Sequence, residues 1–314
     1  MTQSRNSRVA ILGAGHVGAT TAYALMLRAL FSEIVLIDSK AELAIAEAAD
    51  LADANALVRP ATIWAGTYAD AATASIAIIT AGGPTYGPQS RLSVSAASAQ
   101  IVGACVDELM AGGFAGTIIV AANPVDVMSL LAFRRSGLPS ARVIGTGTLL
   151  DTSRLRQEIA ARLGVAPGAV DGLVLGEHGD SEVVAFSTLR VGGLSIAHFS
   201  SDQQEPDHTD VTRNVRNAAY EIIAGKGYTS FGVATAIVRI CEAIVRDEQT
   251  VLPVSTYLTG QFNIEGLYLS LPCVLGAAGV LRVLTPELSR EEEADLLRSA
   301  SVVGEAAHSI GLEA

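Results

Sequence analysis

The chain is most constrained near its start, where an apolar run, Arg8-Val9-Ala10-Ile11-Leu12, leads directly into Gly13-Ala14-Gly15-His16-Val17-Gly18 and then into an alanine-rich stretch reaching about Ala29. A buried strand, a glycine turn and a helix in that order suit a dinucleotide pyrophosphate. Gly13 permits the tight turn, Gly15 lets the backbone approach the phosphates, and Gly18 lets the helix pack on the strand with its free N–H groups facing the anion. A second apolar run, Glu33 to Ile37, ends at Asp38, at the spacing of about 20 residues that such a turn requires. A carboxylate there accepts hydrogen bonds from ribose hydroxyls and repels a 2′-phosphate, so the expected cofactor is NAD rather than NADP. The bland alternative, a glycine turn with no ligand, does not account for the second strand and its acid.

Further apolar runs at 75–80, 117–122 and 142–144 alternate with helical stretches near 40–54, 93–111 and 125–135. This alternation implies an α/β chain with a doubly wound parallel (Rossmann) sheet, in which ligands collect at the carboxyl ends of the strands. Residues 81–92, Asn123-Pro124-Val125-Asp126 and Gly145-Thr146-Gly147 leave those ends. The first segment is rich in Gly and Pro and carries Arg91 where a helix begins. A cation opposes the helix dipole there, so the segment reads as a lid that closes over substrate and brings a positive charge to it.

In the second half, Gly172 to Leu175 is an apolar strand that delivers Gly176-Glu177-His178-Gly179-Asp180-Ser181. Imidazole gives and takes a proton near neutral pH, which makes His178 a candidate acid/base. A helix expected from about 148 to 163, stopped by Gly164, puts Asp151 and Arg154 on one face. Taken singly, the histidine is an ordinary turn residue and the Asp–Arg pair an ordinary surface ion pair. Helices are also expected between about 211 and 248 and near 287–312, with residues 200–210 a polar surface segment.

Composition limits the partners. The net charge of -11 leaves no positive footprint for nucleic acid or an anionic membrane, so an anionic ligand must be met by placed arginines and backbone amides. Cys105, Cys241 and Cys273 have neither disulfide nor metal-ligand spacing, and the five histidines form no ligand pair, so no metal is expected. His16 is taken as a tolerated turn residue. No apolar run has the length of a membrane span and Met1 to Ser7 lacks signal-peptide character, which points to a reduced, cytoplasmic protein.

Taken together, the Gly13–Gly18 turn with Asp38, Ser90-Arg91-Leu92, Asn123 to Asp126, Gly145 to Thr148 with Asp151 and Arg154, Gly176 to Ser181, and Gly227-Tyr228-Thr229-Ser230 resemble the L-lactate and L-malate dehydrogenase family over nearly the whole chain. The Gly-Tyr-Thr-Ser and Gly-Glu-His-Gly-Asp-Ser stretches look like the lactate branch. The resemblance implies a dinucleotide-binding domain over 1–146 and an α+β substrate domain over 147–314. It implies reversible hydride transfer between NADH and a 2-oxo acid, and a homo-oligomer, dimer or tetramer. His178 would donate the proton, Asp151 would hold its other ring nitrogen, and Arg91 would polarise the carbonyl. Arg154 would clamp the carboxylate, Asn123 would bond near the reacting oxygen and the cofactor, and Thr229 would line the pocket. The Asn123–Pro124 bond would be cis. Two alternatives stand beside this reading: a malate dehydrogenase, and a catalytically silent NAD-binding structural protein that keeps the fold.

The chain departs from the family on the lid. Lactate dehydrogenases carry glutamine and malate dehydrogenases arginine where this chain has Thr85, and Tyr86-Gly87-Pro88 replaces the usual Lys-Pro-Gly. Thr85 offers no charge to a second carboxylate and is short, which points to pyruvate or a larger monocarboxylic 2-oxo acid. Arg156 matches one contact to fructose 1,6-bisphosphate in bacterial relatives, but Asp171 stands where a histidine would complete it, so no activation by that sugar is expected.

Overall fold

The structure, a computed structural model, describes residues 7–58, 60–83, 91–200 and 205–312. The first half alternates as its apolar runs do: β1 (Arg8–Leu12), α1 (His16–Arg28), β2 (Glu33–Ile37), α2 (Ala41–Asn55), β3 (Thr62–Ala65), α3 (Tyr68–Ala71), β4 (Ile76–Ile79), α4 (Arg91–Ala111), β5 (Thr117–Val120), α5 (Val125–Ser136) and β6 (Val143–Gly145). These strands lie side by side in the order β3-β2-β1-β4-β5-β6, all parallel. Val9 of β1 pairs with Ile34 on one side and Ile76 on the other. The strand order reverses between β1 and β4, and the glycine turn after β1 sits at that crevice, where this class of sheet binds ligands.

Because helices cover both faces, the strands read as continuous apolar runs rather than alternating ones. Val9, Ile11, Ile34 and Leu36 enter one buried cluster with α1, α2 and the later α9 (Phe231–Val245), whereas Ala10, Leu12, Val35 and Ile37 enter the opposite one with α4 and α5. β3 was not foreseen from the sequence. Trp64 and its neighbours are at most half-buried, and such an edge strand needs no unbroken apolar run.

The second half contains α6 (Leu149–Leu163), β7 (Val170–Leu175), β8 (Val183–Val191), β9 (Leu194–Ser195), α7 (Ile196–Phe199) and α8 (His208–Lys226), then α9, β10 (Thr250–Thr259), β11 (Glu265–Gly276), β12 (Gly279–Val283) and α10 (Arg290–Ser309). Here the sheet continues past the expected domain boundary. Ser255 of β10 pairs antiparallel with Gly145 of β6, and β11 and β12 follow, giving nine strands, while β7, β8 and β9 form a small sheet of their own. β10 thereby covers the edge that β6 would otherwise leave unpaired. A two-residue antiparallel bridge, Gly176 with Ser270, ties the small sheet to β11 and fixes where the chain turns toward His178.

Candidate active site

The cofactor turn is built from backbone. Gly13 has φ +107°, and a Cβ on it would lie 2.6 Å from the Ala81 amide nitrogen; a Cβ on Gly18 would lie 1.9 Å from the Gly13 carbonyl oxygen. Neither position admits a side chain. A Cβ on Gly15 would meet nothing within 4 Å, so the open space of the turn lies over the N-terminus of α1, which no side chain caps. Asp38 is fixed against this turn, its Oδ2 accepting the Ala14 N–H at 2.7 Å and its Oδ1 the Lys40 N–H at 2.8 Å. A bare helix N-terminus under open space with a carboxylate anchored beside it fits a pyrophosphate and its ribose.

His16 is more than a tolerated turn residue. Its ring stacks on Tyr228 at 3.8 Å, with planes 8° apart, and the Lys226 ammonium lies 4.4 Å from the centre of that tyrosine ring. Tyr228 precedes Thr229, which is half-buried in the turn between α8 and α9, so the cofactor turn and the turn carrying Thr229 are in contact. Asn123, also half-buried, lies just beyond β5, and the Asn123–Pro124 bond is cis.

The acid/base cluster is built from side chains. Asp151 and Arg154 lie on the first turns of α6, and His178 comes from the loop after β7. The His178 Nδ1 is 2.6 Å from Asp151 Oδ2, and Arg154 Nη1 donates to Asp151 Oδ1 at 2.7 Å. The Asp–Arg pair is therefore made but is not a surface pair: the Asp151 side chain is 2% exposed and that of Arg154 15%. Burial alone would raise the Asp151 pKa, but the charges and hydrogen bonds of His178 and Arg154 hold the carboxylate below its ordinary range. Burial alone would lower the imidazole; the Asp151 charge and hydrogen bond outweigh it, helped by Glu182 and Asp126, and carry His178 up to about 9.

Several polar residues without an assigned role complete the setting. Asp126, 1% exposed at the start of α5, accepts the His178 backbone N–H at 2.9 Å on Oδ2 and the Ser255 hydroxyl at 2.6 Å on Oδ1. Burial pushes its carboxyl up to about 6 against these two donors. Ser299 of α10 accepts the Glu177 N–H at 2.8 Å, and Gly176 has φ +87° with no room for a Cβ beside Ser299. Glu182 is 5% exposed, directly after the histidine loop, and its Oε1 has no hydrogen-bond partner among the described residues. Asp126 stood in a quoted motif and Glu182 next to one; only the fold brings them to His178. Thr85 lies outside the described residues. Arg91 opens α4, and its side chain too lies outside what is described. Among the described residues no group of three or more His, Cys, Asp or Glu is arranged to hold a metal. No helix among them is long and apolar enough to cross a membrane.

Comparison with known proteins agrees with this geometry. Residues 7–145 match the family model for the lactate/malate dehydrogenase NAD binding domain, and residues 148–308 match that for the lactate/malate dehydrogenase alpha/beta C-terminal domain. The chain is 41% identical over 310 residues to L-lactate dehydrogenase 1 of Bifidobacterium longum, covering 97% of this chain and 98% of that protein. It is 38% identical over 308 residues to an L-lactate dehydrogenase of Clostridium botulinum, covering 96% and 97%. The crystal structure of the minor L-lactate dehydrogenase from Enterococcus mundtii in its ligands-bound form superposes with a TM-score of 0.95 at 39% identity, over 99% of this chain and 100% of that one. These relatives favour neither the malate alternative nor the silent one. The chain belongs to the lactate/malate dehydrogenase family and is an NAD-dependent oxidoreductase of 2-hydroxy acids.

Proposed function

We propose that the protein reduces pyruvate, or a larger monocarboxylic 2-oxo acid, to the L-2-hydroxy acid and runs the reverse reaction, with His178 as the acid/base. The 2.6 Å contact between His178 Nδ1 and Asp151 carries the reading, because it fixes the tautomer and favours an imidazolium with Nε2 left for the substrate oxygen. When bound, NADH supplies the hydride for C2. His178 gives its proton to the oxygen as negative charge develops there, and in the reverse direction takes it back. With Nη1 engaged by Asp151, the Nε–Nη2 edge of Arg154 receives the substrate carboxylate in a two-pronged bridge, a geometry that ammonium cannot offer. Arg91 polarises the carbonyl, Asn123 bonds near the reacting oxygen and the cofactor, and Thr229 lines the pocket. Gly13, Gly15 and Gly18 hold the pyrophosphate and Asp38 the ribose, with residues 1–146 serving the dinucleotide and 147–314 the substrate.

We infer a homo-oligomer, dimer or tetramer, in the cytoplasm. Tyr220 and Ile222 on α8, Phe231 on α9, and Leu297 and Val302 on α10 leave large apolar groups exposed, and all three cysteines are free and buried.

Thr85 sets the substrate test. Without a charge facing C3, pyruvate, 2-oxobutyrate, 2-oxoisocaproate or phenylpyruvate has a higher kcat/KM than oxaloacetate. Thr85→Arg shifts relative preference toward oxaloacetate by on the order of a hundredfold, the scale of a new charge pair in a closed site. Steady-state NADH oxidation over this panel decides the matter. Oxaloacetate as the best substrate of the unmodified protein would overturn the monocarboxylate reading.

A further inference from the structure

Glu182 is a buried acid that the chemistry above does not use. Its side chain follows the histidine loop into the start of β8, is 5% exposed, and leaves Oε1 without a hydrogen-bond partner among the described residues. Among the described residues, the charged groups that interact with it come from three elements: Asp151 and Arg154 from α6, His178 from the loop, and Arg216 from α8. Asp126 of α5 accepts the His178 backbone N–H. Arg216 donates from Nη2 to the Glu182 carbonyl oxygen at 3.3 Å, not to its carboxyl, and the Arg216 Nε is itself buried with no hydrogen-bond partner among the described residues. An ionised carboxyl in that position would take one of these donors, because a buried charge left unpaired is strongly disfavoured by its desolvation. A buried carboxyl oxygen left without a donor is the arrangement of a neutral acid.

We propose that Glu182 is a third ionisable member of the substrate site, which in its neutral form leaves Arg154 and Arg216 to the incoming monocarboxylate and in its ionised form competes with that anion for them. The consequence is a proton requirement beyond that of the acid/base. Asp151 already balances one cation, so a second buried carboxylate would cancel the positive field that draws and holds the substrate. Burial, with Asp151 nearby, pushes Glu182 up to about 8 against the pull of His178 and the two arginines, so its ionisation falls within the range in which the protein can be assayed. Substrate binding at alkaline pH then recruits a proton to Glu182 as well as one to His178.

This inference rests on the proposed function, and its test separates the two. The probe is oxamate, an isostere of pyruvate that is not reduced, added to the protein with NADH. Proton uptake is measured by titration calorimetry at pH about 9.5 in buffers of different ionisation enthalpy. The unmodified protein takes up nearly two protons per oxamate bound, and Glu182→Gln, which keeps the neutral shape, about one. Correspondingly, log Kd for oxamate rises with pH at a slope steeper than one in the unmodified protein and near one in the variant, while at pH about 6.5 the two affinities agree within about threefold. The slope is the readout, since losing the Glu182 charge also moves the His178 midpoint. Uptake of a single proton by the unmodified protein would overturn the inference and leave the function standing. So would an E182Q affinity weaker by about tenfold or more at pH 6.5, which would mean that an ionised Glu182 is needed. No oxamate binding by the unmodified protein at any pH would overturn the function and the inference together. The proton count requires no variant, so a misfolded E182Q does not blunt the test.

Discussion

The cofactor turn and the acid/base cluster solve opposite problems. At the turn, backbone and open space are what the fold offers a ligand, and side chains are excluded: Gly13 and Gly18 have no room for a single methyl group, and Gly15 faces the opening. In the cluster, backbone is only the support. Asp126, Asp151, Arg154, His178, Glu182 and Arg216 come from α5, α6, α8 and the β7–β8 loop, and each sets the charge state of another. The turn should therefore fail by steric clash, independently of pH, and the cluster by loss of charge, with a signature in pH.

The largest effect tests the cluster. His178→Asn lowers kcat for pyruvate reduction by about 10²–10⁴-fold, the range for removing a general acid, while NADH affinity measured by fluorescence stays within about threefold. On the proposed mechanism the protonated imidazole is the competent form, so kcat/KM for pyruvate is maintained through neutral pH and falls as pH rises through about 8 to 9, where Glu182 and then His178 lose their protons. An alkaline limb at the ordinary histidine value would show that Asp151 does not support the imidazolium. Near-normal turnover in the variant would remove His178 from the chemistry.

Gly18→Ala tests the turn. Its Cβ would fall 1.9 Å from a backbone carbonyl oxygen, which cannot swing aside as a side chain does, so α1 must lift from β1. The expected cost is about 1–3 kcal/mol of stability, typical of overpacking, with NADH affinity weakened by tenfold or more and no change in the pH profile of the remaining activity. A variant that bound NADH normally would show that the turn yields, and the contrast between the two regions would disappear. Asp38→Ser is milder. It leaves the backbone cradle intact, so NADH binding weakens modestly and the preference for NADH over NADPH narrows by about tenfold, read as the ratio of kcat/KM values.

The same contrast explains what could be read in the sequence. The turn and Asp38 lie within one strand–helix–strand unit, so spacing alone brings them together, and the parallel sheet followed from the alternation of runs. The residues of the cluster are far apart in sequence. Spacing put Asp151 and Arg154 on one helical face but by itself favoured a surface ion pair, and only the family resemblance joined them to His178. Nothing local marks Ser255 or Ser299 as supports for the histidine loop, because each reaches it through the pairing of β10 with β6 or the packing of α10. Glu182 carried no signal either: an acid beside a polar turn looks solvated until β8 and α8 bury it. The continuation of the sheet through β10 was hidden for the same reason, since the single bridge between Ser255 and Gly145 leaves no periodic trace.

The smallest effect falls where the two regions meet. Asp126 opens the helix after β5, which pairs with β4 at the cofactor crevice, yet its carboxylate holds the His178 N–H and the Ser255 hydroxyl. Asp126→Asn keeps shape and one acceptor: the amide oxygen still takes the His178 N–H, while its NH₂ must face Ser255 Oγ, which then has to accept rather than donate. One hydrogen bond is re-made with poorer polarity, worth about 1 kcal/mol, so kcat falls by about fivefold to tenfold at pH 7.5 with little change in NADH affinity. The pH profile separates positioning from mere packing. In the unmodified protein Asp126 takes a proton as pH falls through about 6, and a protonated carboxyl can no longer accept from both donors, so kcat has an acid limb there. In Asp126→Asn that limb vanishes, because the amide does not titrate, and kcat stays at its reduced level from pH 7 down to about 5. A variant that loses melting temperature but keeps the acid limb would assign the limb to another group and reduce Asp126 to a packing residue.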